Sequence, residues 1–265
     1  MLCSAEHPGD TSLLLGVSRV YDIINDMEKG VQYWKKVRVI RCLGTRALRF
    51  PCGPLRPHPV HTCASCHQVL TYDASNVESI ACLASHHFYT DQPEVALKHY
   101  RRLLQMGVQN TELWNNLGLC CFYASQYDMT LSCFERALAL ASDENMADVW
   151  YNIGQVAVGI GDLGLAYQAF KVAVSVDSHH AESFNNLGVL ELRKGNVDQA
   201  RSNFQTAQSL AAYMFEPFFN GALLAYKLGD FQDSFELCQK SLEAFPDFAD
   251  SKELIKQLRQ HFTML

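Results

Sequence analysis

From about residue 77 onwards, apolar residues recur at three- and four-residue steps, and the stripes come in pairs. Such steps bring side chains to one face of a helix. Within several pairs, a glycine followed by Asp or Asn separates the stripes, a combination that ends one helix and starts the next. The pairs themselves repeat. WYNIGQVAVGIGDLGLAYQAFKVAVSVD begins at Trp150, FNNLGVLELRKGNVDQARSNFQTAQSLA at Phe184 and FFNGALLAYKLGDFQDSFELCQKSLEAF at Phe218, at a period of 34. Gly161, Gly195 and Gly229 keep that step, as do Phe170, Phe204 and Cys238. An earlier copy, WNNLGLCCFYASQYDMTLSCFERALAL, starts at Trp114, which is 36 before Trp150. Its two extra residues fall in the polar turn 142–145, where insertion costs little. Another copy runs from Ile80 through Ala96 to Tyr100.

Each copy predicts a helical hairpin. Large residues at the fourth and seventh positions (Trp114 and Leu117, Phe184 and Leu187) make the buried face of the first helix. Ala166 with Phe170, and Ala200 with Phe204, make a second helix that approaches it closely. A 34-residue hairpin with this pattern is the tetratricopeptide repeat. One hairpin cannot bury both its faces, so the copies must stack. The expected fold is all-α, a right-handed superhelical solenoid of such hairpins. Five hairpins are expected within 70–248, starting near 77, 111, 147, 181 and 215. Residues 249–265 predict a capping helix with Leu254, Ile255, Leu258 and Phe262 on one face. The same phase predicts an initial hairpin over 11–37, with Leu14, Val17 and Tyr21 facing Trp34 and Val37.

Residues 38–69 break this phase and have a different composition. They hold five arginines, none of the chain's 28 acids, four of its eight prolines and four of its ten cysteines. Cys52, His58, His61, Cys63, Cys66 and His67 include a Cys-x2-Cys pair of the kind a zinc knuckle uses. No second pair follows at finger spacing, so the segment reads as a disordered insert with no metal. The adjacent pairs His86–His87 and His179–His180 lack a Cys or carboxylate set at ligand spacing and read as packing or solvated histidines.

Composition narrows the function classes. The chain has 265 residues, 48% of them hydrophobic and 19% charged, with net charge −6. An acidic balance argues against a broad nucleic-acid footprint, because phosphate binding needs a clustered basic surface. No apolar run reaches the roughly 18–20 residues of a membrane span. The N-terminus does not read as a signal peptide, so the ten cysteines are expected to be reduced thiols in the cytoplasm. There is no G-x-S-x-G, Walker, dinucleotide-binding or H-E-x-x-H motif, and the expectation is a non-catalytic protein without cofactor.

The candidate chemistry lies on the first helices, which in such solenoids line the concave wall. Asn116, Asn152, Asn186 and Asn220 occupy the sixth position of successive copies. An amide donates and accepts, so this ladder suits the backbone of an extended guest strand. The same amides can instead link neighbouring helices, and the sequence leaves both roles open. Glu78, Glu112, Asp148, Glu182 and Glu216 place an acid at the second position of five copies. Part of that pattern is the helix-start preference for negative charge. It nevertheless excludes a co-chaperone clamp, which needs Lys and Arg there. With Tyr151, the asparagines and acids from Glu112 to Glu216 form the candidate partner-binding groove.

Beyond the repeat consensus, TSLLLGVSRVYDIIND, YTDQPEVALKHYRRLLQMGV, CCFYA, QYDMTL and the closing QLRQHF resemble the Bardet-Biedl syndrome 8 family of BBSome subunits. The resemblance covers residues 11–37 and 70–265, and segment 38–69 has no counterpart in it. Members of that family are longer at the N-terminus, so the chain is expected to correspond to their C-terminal portion. The resemblance implies a subunit of an octameric, coat-like adaptor that carries membrane proteins to and from the primary cilium. Its partners would be other BBSome subunits, with membrane contact only through the assembled complex. Its location would be the cytoplasm, primary cilium, ciliary basal body and centrosomal region. The alternatives are a generic cytosolic peptide-binding adaptor or co-chaperone, and an isoform that fails to assemble.

Overall fold

The computed structural model describes residues 66–67 and 69–264, and all regular structure among them is helical. The initial hairpin expected over 11–37, and most of segment 38–69, lie outside the described residues. The described residues fall into two compact units that meet in sequence at Ala141 and Ser142.

The first unit contains α1 (Val77–Tyr89), α2 (Pro93–Gln105), α3 (Thr111–Tyr123) and α4 (Tyr127–Leu140). Ile80, Ala84, Ala96, Leu97, Tyr100, Leu103, Leu113 and Leu117 form one buried cluster between them. Full burial of a side chain the size of Ile80 or Leu103 contributes about 1.5–3 kcal/mol. Tyr100 is wholly buried, and its hydroxyl sits 3.1 Å from that of Ser85. Before α1, residues 66–67 and 69–72 are helical. The end of the 38–69 segment thus departs from the expected disorder, because Cys66 and Val69 are buried against Leu83. Their 3-residue spacing puts both on one helical face, a signal too short to stand out from the sequence before them.

The second unit contains α5 (Met146–Ile160), α6 (Leu163–Val176), α7 (Ala181–Lys194), α8 (Val197–Leu210), α9 (Glu216–Leu228), α10 (Phe231–Ala244) and α11 (Ala249–Met264). α5 and α6 form one hairpin, as do α7 with α8 and α9 with α10. Close approach is set by the residue at the eighth position of each copy, counted from 147, 181 and 215. A Cβ on Gly154 would lie 2.5 Å from the Phe170 ring, and one on Gly188 would lie 2.6 Å from the Phe204 ring. In the third hairpin, Ala222 takes that position, and Ser234 Oγ donates to its carbonyl at 2.9 Å. α11 covers this hairpin's apolar face with Leu254, Ile255 and Leu258. Phe262 shares their helical stripe but is 40% exposed, its ring 6.0 Å from that of Phe235.

The hairpin turns explain the recurring glycine. Gly161, Gly195 and Gly229 end α5, α7 and α9 at φ values of 87°, 86° and 85°. Only glycine enters this left-handed region without a Cβ penalty. Asp162 and Asp230 then cap α6 and α10, accepting from the Leu165 and Asp233 amides at 2.9 and 3.2 Å. The turn between α3 and α4 uses Ser125 instead, at φ 58°. Ser125→Gly should therefore raise the stability of the first unit by roughly 0.5–1 kcal/mol, as a shift of the urea midpoint. A lowered midpoint would mean that the Ser125 side chain supplies more than its backbone conformation costs.

Candidate partner-binding site

In the first unit, Glu112 and Asn116 stand one turn apart on α3 and have different surroundings. Glu112 is partly exposed in the first turn, whereas Asn116 has no exposed surface. Asn116 is hydrogen-bonded to Tyr100 on α2, and Asn115 Nδ2 donates to its Oδ1 at 3.4 Å. Burial holds the Tyr100 hydroxyl well above the usual phenol range, so it stays neutral as part of this network. In this copy the sixth-position amide binds its own protein.

In the second unit, the expected site residues lie on α5, α7 and α9. Asp148, Tyr151 and Asn152 are on α5, Glu182 and Asn186 on α7, and Glu216 and Asn220 on α9. Asn152 is 6% exposed and Tyr151 is 8% exposed. The Tyr151 ring packs 5.7 Å from Phe170 and 5.1 Å from His180, and its hydroxyl accepts from Gln155 Nε2. Tyr151 thus fills a joint between helices. Asn186 and Asn220 are partly exposed. Asn220 Nδ2 donates to Asn185 Oδ1 at 2.9 Å, joining α9 to α7. The two roles left open by the sequence are divided along the chain. Asn116 and Asn152 are interior residues, Asn220 is a link between helices that keeps some exposed surface, and Asn186 is partly open to solvent.

His180 organises the acids. Its ring is 5% exposed and lies between Asp148 Oδ1, 3.5 Å from Nε2, and Glu182 Oε2, 3.4 Å from Nδ1. Nδ1 also accepts from the Ser183 amide at 3.2 Å, so His180 is the N-cap of α7. That hydrogen bond assigns the proton of the neutral ring to Nε2, facing Asp148. Nothing in the repeat pattern signals this arrangement. His180 occurs once among the copies, and its carboxylate partner on α5 is 32 residues away. His179 is solvent-exposed beside Asp177. Among the described residues, no group of three or more His, Cys, Asp or Glu is placed to hold a metal ion.

Glu216 completes the acidic row. Burial pushes its carboxyl up, and the charge of Glu182 adds to this against backbone hydrogen bonds at the helix start. An acid whose folded pKa is raised binds more protons folded than unfolded. Its stabilisation is then present below the unfolded pKa and lost as pH rises through the folded one. At neutral pH the Glu216 charge opposes folding. Glu216→Gln should accordingly raise the thermal midpoint of the second unit at pH 7 and leave it nearly unchanged at pH 4. Equal shifts at both values would locate the effect in packing and not in charge.

No helix among the described residues is long and apolar enough to cross a membrane. Two models of the tetratricopeptide repeat match the chain, one over residues 111–144 and the other over 151–217 and 185–249. Human tetratricopeptide repeat protein 8 is 52% identical over 259 residues, covering 97% of this chain and 42% of its own length. Bovine BBSome complex member BBS4 is 25% identical over 62% of this chain and 31% of its own length. The chain therefore spans less than half the length of these relatives. Among solved structures, the APC/C hetero-tetramer Cut9-Hcn1 superposes with a TM-score of 0.62 at 14% identity, over 96% of this chain and 44% of that one. That likeness is one of fold.

Proposed function

The chain belongs to the tetratricopeptide repeat family, and from that premise we propose that it is a non-catalytic BBSome-type subunit. In this reading it holds other proteins in the coat that moves membrane proteins to and from the primary cilium. It works in the cytoplasm and at the ciliary base and contacts membrane only through the assembly. The observation that carries the reading is the 52% identity to tetratricopeptide repeat protein 8 across 97% of the chain. BBS4, itself named a BBSome member, supports it at greater distance.

The partner is a protein, received on the accessible part of the second unit's first helices. Glu182, Asn186 and Glu216 are partly exposed there, and two of the three are carboxylates that suit a partner with basic residues. Cofactors have no role in this function. The deciding experiment is affinity purification of the tagged chain from ciliated cells, with identification of the co-purifying subunits. Recovery of BBSome subunits is expected, and a folded chain that recovers none of them would refute the assignment. Asn186→Ala combined with Glu182→Gln should weaken recovery by about 1–3 kcal/mol in affinity, at about 0.5–1.5 per lost neutral hydrogen bond and more where charge is involved. Unchanged binding by this variant would move the docking surface elsewhere while leaving the family assignment standing.

A further inference from the structure

Three cysteines meet where α3 and α4 pack, apart from the acidic row. Cys120, Cys121 and Cys133 are each 2% exposed or less and share the apolar cluster of Leu117 and Tyr100. All three are free thiols. Their two helices are paired in one hairpin and come close at Gly118, where a Cβ would lie 3.3 Å from Cys133 Cβ. Cys121 follows Gly118 by three residues and so lies on the same face of α3. Its thiol is hydrogen-bonded to that of Cys133 across the hairpin.

We propose that Cys121 and Cys133 are a peroxide-sensitive pair, in which Cys121 is oxidised first and Cys133 converts it to a disulfide bridging α3 and α4. The surroundings make the three sulfurs unequal. The Cys133 hydrogen bond holds the Cys121 thiol below its ordinary range against the effect of burial, and the charge of Arg101 adds to this. The same hydrogen bond, with burial, pushes Cys133 up. Burial pushes Cys120 up as well, and the charge of Cys121 adds to it. Of the three thiols, Cys121 is the one held toward its thiolate. Arg101 is held in place by donating from Nη2 to Gln126 Oε1 at 3.0 Å, with Met129 Sδ at 3.4 Å. Met129 lies one turn before Cys133 on α4 and is 42% exposed.

The chemistry balances with hydrogen peroxide as oxidant. The Cys121 thiolate attacks one peroxide oxygen, the O–O bond breaks, and hydroxide leaves and takes a proton to become water. Cys121 is then a sulfenic acid. The Cys133 sulfur attacks it, the S–S bond forms as the S–O bond breaks, and the thiol proton leaves with the oxygen as water. Two thiols and one peroxide give one disulfide and two waters.

The test treats the reduced full chain with hydrogen peroxide, blocks remaining thiols with N-ethylmaleimide in denaturant and maps peptides without reduction. The expected product links Cys121 to Cys133 with loss of two hydrogens, while Cys120 is alkylated. Arg101→Gln should slow the linkage several-fold. In Cys133→Ser, dimedone should trap Cys121 as a sulfenic acid. The wild-type map decides alone if that variant fails to fold by circular dichroism. A link through Cys120 would overturn the proposal, as would two alkylatable sulfurs at 121 and 133 after Met129 has become sulfoxide.

Discussion

Replacing Gly188 with leucine should lower the stability of the second unit by about 1–3 kcal/mol, because the space it needs is held by Phe204. A Cβ alone at this position would lie 2.6 Å from the ring, closer than such contacts are found. Phe204 is 1% exposed, so its ring cannot swing into solvent without giving up its own burial. Helix propensity works in the opposite direction, since glycine inside a helix costs about 1 kcal/mol relative to alanine. The clash wins because the obstacle is a rigid aromatic ring and not the end of a flexible chain. Gly164→Leu in α6 is the control. A Cβ there meets only Asp162 Oδ1, at 3.4 Å, so that variant should match or exceed the parent. Urea unfolding compares the two. A Gly188→Leu midpoint equal to that of the parent would show that α7 and α8 can separate freely, contrary to their packing. Adding Phe204→Leu to Gly188→Leu should recover part of the loss, since the smaller residue vacates the ring's position.

The glycines and aromatics that make this contact were legible in the sequence because they recur. Gly154 and Gly188 face Phe170 and Phe204 one repeat apart, and Gly161, Gly195 and Gly229 mark turns at a constant step. Contacts that occur once left no such trace. His180 between Asp148 and Glu182, and Asn220 on Asn185, are made between copies by residues 32 to 35 apart in sequence, or by a side chain no other copy has. The asparagine ladder shows the limit of periodicity as a guide to function. Four identical residues at one repeat position have different environments, from Asn116 with no exposed surface to the partly exposed Asn186 and Asn220. What separates them is the neighbour each meets. Tyr100 on α2 lies beside Asn116 in the first unit, while Asn185 on α7 lies beside Asn220 in the second. Those neighbours vary from copy to copy. The apolar stripe of α11 was visible as a pattern, but its span was not. The pattern includes Phe262, whereas among the described residues of α11 burial stops at Leu258.

That limit to the packing sets the second large effect. Leu258→Ala should cost about 2–5 kcal/mol, the range for truncating a large aliphatic side chain in a core that relaxes only partly. Leu258 has no exposed surface and packs in the cluster of Ala222, Cys238, Leu254 and Ile255, with Phe219, Leu223, Tyr226, Phe231 and Phe235 around it. Phe262→Ala removes a larger side chain, but one already 40% exposed, and should cost well under half as much. A further tie holds α11 to α10, the buried Ser241 and Ser251 hydroxyls at 3.0 Å, so the helix should stay attached in the variant while its seat loosens. In a repeat protein each hairpin is stabilised mainly by its immediate neighbours, so the damage should be graded. Native-state hydrogen exchange should show the greatest loss of protection in α9 and α10, less in α7 and α8, and least in α5 and α6. Uniform loss across the second unit would mean that it unfolds as one cooperative block. A Leu258→Ala variant with undiminished protection in α9 would mean that α11 is only loosely seated, and that the apolar face of the last hairpin does not depend on it.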